Sequence, residues 1–111
     1  MICNRYQVAV VPFPFVDISV AKPRPALVLS SERFNADSGQ TILAMITTAA
    51  RSQWSTDVAL KTLAGTGLRV PCVVRFKLFT LTNELISRTI GALSISDAGH
   101  VGKAVKAILA V

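Results

Sequence analysis

Gln7-Val8-Ala9-Val10-Val11, followed by Pro12-Phe13-Pro14-Phe15, is the stretch on which the fold turns. The first five residues are rich in β-formers. They predict a strand that ends at Pro12, which has no N–H to give a ladder. Each residue before a proline is pushed out of the helical region, so Pro12 to Phe15 reads as a stiff loop. Downstream, Ala26-Leu27-Val28-Leu29 is a short apolar run consistent with a buried strand. Ser30 to Gly39 is polar and turn-rich, with room for a helical turn near Glu32 to Asn35. Thr41 to Thr47 predicts the third strand. Thr48 to Thr56 reads as an exposed loop carrying Arg51 and Trp54, and Asp57 to Leu60 as a fourth strand. Gly65-Thr66-Gly67 marks a turn. Val70 to Leu81 reads as one or two strands interrupted only by Pro71.

The period changes at the C-terminus. Ser94-Ile95-Ser96-Asp97 fits a capping box, with Asp in place of the commoner Glu. Ala98, Val101, Val105, Ile108 and Leu109 then recur at helical spacing, with Lys103 and Lys106 on the other face. Gly99 and Gly102 weaken this closing helix. Five or more short strands and one terminal helix make a mainly β chain with a C-terminal helix, folded as a small, strongly bent sheet or barrel.

The chain has 111 residues, which fits one domain spanning 1–111, and shows no repeat, low-complexity tract or linker. Hydrophobic residues make up 51% and charged residues 16%, the opposite of a disordered composition. The longest apolar run, Val8 to Val16, is broken by two prolines and is far short of the ~20 residues that cross a bilayer. High apolar content without a span points to a buried oligomer face. The net charge of +6 attracts polyanions, with nucleic acid the usual one, or an acidic protein. Cys3 and Cys72 form no CxxC pair, which excludes zinc and thioredoxin-type chemistry. They read as reduced thiols of a cytoplasmic protein. Arg5 is the one basic residue near the N-terminus, and the proline-broken run after it makes a poor signal-peptide core.

Asp17, Glu32, Asp37, Asp57, Glu84 and Asp97 are scattered, whereas two-metal nucleases need clustered carboxylates. His100 is the single histidine, so a two-histidine acid–base pair is impossible. There is no P-loop, GxGxxG, GxSxG or HExxH pattern, and no cofactor is implied. A hydrolase would have to work with Arg, Thr, Ser, Lys or Tyr. RNA tolerates that toolkit because its 2′-OH is its own nucleophile. The enzyme need only align it and stabilise charge on the phosphorane.

Three stretches carry a resemblance to a known family. The first is Val10-Val11-Pro12-Phe13-Pro14-Phe15-Val16-Asp17, followed by Lys22-Pro23-Arg24-Pro25-Ala26-Leu27-Val28-Leu29-Ser30. The second is Met45-Ile46-Thr47-Thr48, with Trp54 seven residues after Thr47. The third is Val73-Val74-Arg75, then Lys77-Leu78-Phe79-Thr80-Leu81, Leu85-Ile86 and Ile90-Gly91-Ala92-Leu93-Ser94. In this order they resemble the PemK/MazF family of bacterial toxins, from about residue 7 to the end. The resemblance implies a CcdB/MazF-like fold, a twisted sheet or SH3-like barrel with a C-terminal helix. It implies a homodimer with RNA sites near the subunit interface. It implies a metal-independent endoribonuclease that cuts single-stranded RNA at short sequences, and an acidic cognate antitoxin that blocks the site. The family usually carries Gly-Asp just before the first strand, where Arg5-Tyr6 precede Gln7 here. An acidic residue often stands where this chain has Thr82-Asn83, and Ser often replaces Cys72.

On the resemblance, Arg24 matches the family's catalytic arginine and Thr47 its active-site threonine. Between Pro23 and Pro25 the backbone of Arg24 is confined to extended conformations, a rigid mount for a guanidinium that binds phosphate through a planar fork. The competing reading is an ordinary arginine at a strand edge. The Thr47 hydroxyl can donate to a phosphate or leaving oxygen, although Thr is also simply a favoured strand residue. Thr48, its neighbour, points to the other face. Trp54 can stack a splayed base, but a single Trp more often anchors a loop to the core, and that reading is slightly favoured. Phe13 and Phe15 line an RNA groove or pack. Lys22, Arg51 and Arg75 are candidate phosphate contacts or solvated charges. Two other functions fit a fold of this kind: a gyrase poison of the CcdB type, and a non-catalytic nucleic-acid-binding barrel.

Overall fold

The computed structural model describes residues 1–13, 22–51 and 53–111, with Arg51 described by its backbone alone. The elements run β1 (Gln7–Pro12), β2 (Pro23–Val28), α1 (Glu32–Ser38), β3 (Gln40–Thr48), β4 (Val58–Ala59), β5 (Cys72–Thr82), β6 (Arg88–Ala92) and α2 (Ile95–Leu109). Among the described residues, six strands join one antiparallel sheet in the order β4-β5-β3-β2-β1-β6, curled into a half-barrel.

Strand alternation divides the core in two. Val8, Leu27, Ile46, Val74 and Phe76 point to one face, where Val101 of α2 closes over them. Ala9, Val11, Ala26, Val28 and Leu43 point to the other, against Cys3, Phe13, Phe79 and Ile86. Because β1 and β2 are covered on both faces, they read as continuous apolar runs and not as alternating ones. Cys3 and Cys72 are both free and lie in opposite halves of the core.

The half-barrel closes through the loop between β4 and β5. Gly65 accepts the Ala92 N–H at 2.9 Å, which brings the far end of β6 onto this loop. A side chain at Gly91 would overlap the backbone of Gly65 and Thr66, and one at Gly67 would overlap Ile90. These glycines permit the close approach of two backbones.

Two local readings change. The turn near Glu32 to Asn35 is a longer helix, Glu32–Ser38, because both ends are capped. The Ser31 hydroxyl accepts from Phe34 N–H, and Gly39, at φ 72°, donates back to Asn35. The capping box at α2 is only half made. Ser94 Oγ accepts the Asp97 N–H at 3.1 Å, but the carboxylate turns to Lys61 and Thr62. The Asp side chain is one methylene shorter than Glu, and the Lys61 and Thr62 N–H groups lie beside it as donors. The strand after Pro71 is a single one, bent where Met45 pairs with Arg75 and Ala44 with Leu78. A sixth strand, Arg88–Ala92, was not legible because it is five residues long and interrupted by Gly91. Among the described residues no helix is long and apolar enough to cross a membrane.

Candidate active site

The cleft begins at the two prolines around Arg24. β2 pairs with β1 as far as Pro12↔Pro23, but with β3 only from Ala26↔Met45 onward. Pro23 and Pro25 have no N–H to continue the ladder toward β3, so the seam between β2 and β3 opens there. A cleft of about 570 Å³ occupies that seam. That volume falls in the usual range for ligand sites, roughly 300–1,000 Å³.

Alternation places Arg24 and Thr47 together. Val28↔Leu43 and Ala26↔Met45 share one face, and one further step along each strand brings Arg24 and Thr47 onto that face. Both line the cleft. Thr48 pairs with Cys72 on the opposite face, at the rim of the same cleft. The buried Phe13 lines it as well and packs edge-on against Phe79, with centroids 5.8 Å apart.

Two further arginines enter the lining, Arg69 from the β4–β5 loop and Arg88 at the start of β6. Sequence reasoning missed both. Arg88 pairs through the backbone with Val10, and Arg24 with Val11, so β1 carries one arginine on each flank. A basic residue two positions after the Gly65-Thr66-Gly67 turn was the one available signal for Arg69. No carboxylate lines the cleft among the described residues. Three like charges around one concave surface focus a positive potential that suits an anion.

The other expected site residues lie elsewhere. Arg75 faces a different partner. Its Nε and Nη2 donate to the two carboxylate oxygens of Asp57 at 3.2 and 2.8 Å, a bidentate pair that is largely buried. That hydrogen bond holds the guanidinium above its ordinary pKa, with burial opposing it. Trp54 lies over this pair, its ring centroid 5.4 Å from the Arg75 guanidinium carbon, and remains 43% exposed. It therefore anchors its loop to an ion pair and not to the apolar core. Lys22 is exposed just before β2, outside the lining. Arg51 is placed by its backbone only, in a 3-10 turn directly after β3. Phe15 lies outside the described residues. His100 is exposed on α2, away from the cleft. Among the described residues, no group of three or more His, Cys, Asp or Glu could hold a metal ion.

The residue that enters β1 has an unusual backbone. Tyr6 sits at φ 70°, a left-handed conformation that glycine adopts without strain. Its N–H and C=O are both used, by Val28 and Leu93, and its ring is covered by Arg5 at 4.8 Å. Those bonds hold a non-glycine residue where glycine would be easier.

A family model described as PemK-like, MazF-like toxin of type II toxin–antitoxin system matches residues 4–109. Similar solved structures include an endoribonuclease from a Mycobacterial species in complex with its cognate antitoxin. It has a TM-score of 0.77 and 18% identity, covering 98% of this chain and 96% of that one. MazF from Deinococcus radiodurans gives a TM-score of 0.76 at 18% identity over 100% and 99% of the two chains. An Mtb toxin gives 0.68 at 25% identity over 91% and 98%. No curated protein matches the chain by sequence.

Proposed function

The chain belongs to the PemK-like, MazF-like toxins of type II toxin–antitoxin systems, and on that premise we propose that it is a metal-independent endoribonuclease acting on single-stranded RNA. The observation that carries this reading is the placement of Arg24 and Thr47 on one face, at the mouth of an opened seam, in a cleft lined by no described carboxylate. That equipment suits a substrate that brings its own nucleophile. The 2′-oxygen attacks phosphorus in line, the P–O5′ bond breaks, and the products are a 2′,3′-cyclic phosphate and a 5′-hydroxyl. The 2′-OH proton leaves to solvent.

Arg24 stabilises the charge that builds on the phosphorane through its planar pair of donors. A guanidinium is essentially never deprotonated in proteins, so its part is charge stabilisation through hydrogen bonds, not acid or base catalysis, and the departing 5′-oxygen takes its proton from solvent. The Thr47 hydroxyl donates to a phosphate oxygen or to the departing 5′-oxygen. The positive cleft also suits an acidic antitoxin that competes with RNA, and a similar endoribonuclease has been solved with its cognate antitoxin. The protein works as a homodimer. Ile108, Leu109 and Val111, exposed at the end of α2, supply apolar surface for that contact.

The test is incubation of the purified protein with a long unstructured RNA in excess EDTA, beside Arg24→Ala and Thr47→Ala, with the ends mapped. Discrete cuts ending in cyclic phosphate, lost in both variants, are expected. A folded wild-type protein that leaves the RNA intact would remove the nuclease reading and send the work to a gyrase supercoiling assay.

A further inference from the structure

We infer that Arg69 and Arg88 form a second phosphate-holding wall of the cleft, taking backbone phosphates that flank the scissile one. The inference deepens the ribonuclease reading and rests on it for the identity of the strand that is held. Arg24 comes from β2, Arg88 from β6 and Arg69 from the β4–β5 loop, so three separate segments converge on one cleft.

The described acids are engaged or placed elsewhere. Asp57 is paired with Arg75, and the Asp97 carboxylate is held by backbone N–H groups. Glu32 and Asp37 lie on α1, and Glu84 lies in the 3-10 turn after β5. None of these acids lines the cleft. Arginines from three segments around one cleft, with no described carboxylate among its lining, favour an anion there. A polyanion with regularly spaced charges satisfies more than one at once.

The loop that brings in Arg69 is also firmly mounted. The fully buried Asp97 accepts Lys61 N–H at 3.1 Å and Thr62 N–H at 3.0 Å at the start of the loop. The buried Thr66 hydroxyl donates to Leu63 C=O at 2.6 Å and accepts from Leu68 N–H at 3.1 Å. The loop backbone then packs on β6 beside Gly91, on the strand that begins with Arg88. A rigid mount of this kind lowers the ordering needed when a strand binds. Asp97 thus fixes the start of the loop that carries Arg69.

The experiment measures binding of a fluorescein-labelled, mixed-sequence 2′-O-methyl RNA 12-mer across a salt series. It compares wild type, Arg69→Gln, Arg88→Gln and the double variant. Arg33→Gln, on exposed α1, serves as a charge-loss control. The slope of log Kobs against log salt should fall by about 0.7 for each cleft arginine removed and by about 1.4 in the double variant, as for single-strand phosphate contacts. Arg33→Gln should leave the slope unchanged. In cleavage of long RNA, KM should rise about tenfold per variant with kcat within about threefold, because the lost contacts bind ground and transition states alike. A double variant with the wild-type slope overturns the proposal, as does a wild-type protein that does not bind the 12-mer. If the slopes fall as stated but wild type leaves long RNA uncut, the phosphate wall stands and the ribonuclease reading fails.

Discussion

Arg24 and Thr47 stand two residues beyond the last ladder pair of β2 and β3, Ala26 with Met45, on the face that pair defines. Neither side chain needs a long-range accident to meet the other. Two prolines end the ladder, and the period of two does the rest.

That geometry separates the two neighbouring threonines. Thr47→Val should lower kcat by about 100-fold, in the range for loss of one donor to a developing charge. Thr48→Val, whose side chain points to the opposite face, should stay within a few-fold of wild type. Single-turnover cleavage rates of the two variants decide between them, and equal losses would remove the assignment of Thr47.

Asp97 should matter to stability far more than a surface acid at a helix start. Its carboxylate serves two loop N–H groups and is fully buried. Asp97→Ala leaves those donors unmet and should cost roughly 3 kcal/mol. Asp97→Asn, which keeps one acceptor oxygen, should cost less. Urea unfolding followed by circular dichroism measures both.

Two glycines should respond in opposite directions to alanine. At Gly91 the added Cβ would overlap the backbone of Gly65 and Thr66, which cannot rotate away. Gly91→Ala should destabilise by about 2 kcal/mol or more through overpacking. At Gly99 in α2 the Cβ would meet nothing within 4 Å. Gly99→Ala should stabilise by up to about 1 kcal/mol, the helix-propensity difference. Thermal melts of the two variants should therefore shift to opposite sides of wild type.

Stability should fall on the alkaline side. Burial raises the thiol pKa of both Cys3 and Cys72 above the ordinary 9.0. Between the unfolded and folded values the unfolded chain has lost protons that the native chain keeps. The slope of unfolding free energy with pH is then negative. The contribution is complete below pH 9 and is lost as pH rises through the folded values. Urea midpoints from pH 8 to 10.5 should decline more steeply for wild type than for Cys3→Ala/Cys72→Ala.

Much of the architecture was legible in the sequence because its causes are local. The β-rich run from Gln7 to Val11, the polar interval after Ser30 and the 3.6-residue period after Ser94 each act within a few residues. They predicted strands and helices close to those observed. The longer α1 and the short β6 were harder, since one depends on caps at both ends and the other on pairing with β1. Arg24 was singled out by its flanking prolines together with a family resemblance. Trp54 lies in the loop expected for it, against the Arg75–Asp57 pair, a support that nothing near it in sequence announces.

The sequence by itself determined where most of the strands run, which residues share a face along each of them, and that the backbone around Arg24 is extended. Backbone sterics and missing N–H groups act on immediate neighbours and need no knowledge of the fold. The tertiary structure alone decided that Arg75 belongs to Asp57, 18 residues away, and Asp97 to the Lys61 N–H, 36 residues away. It alone brought Arg69 and Arg88 to the cleft of Arg24. Those outcomes depend on how a six-stranded sheet curls and on which backbones two glycines allow to touch, and no local pattern encodes the partner that curvature brings near.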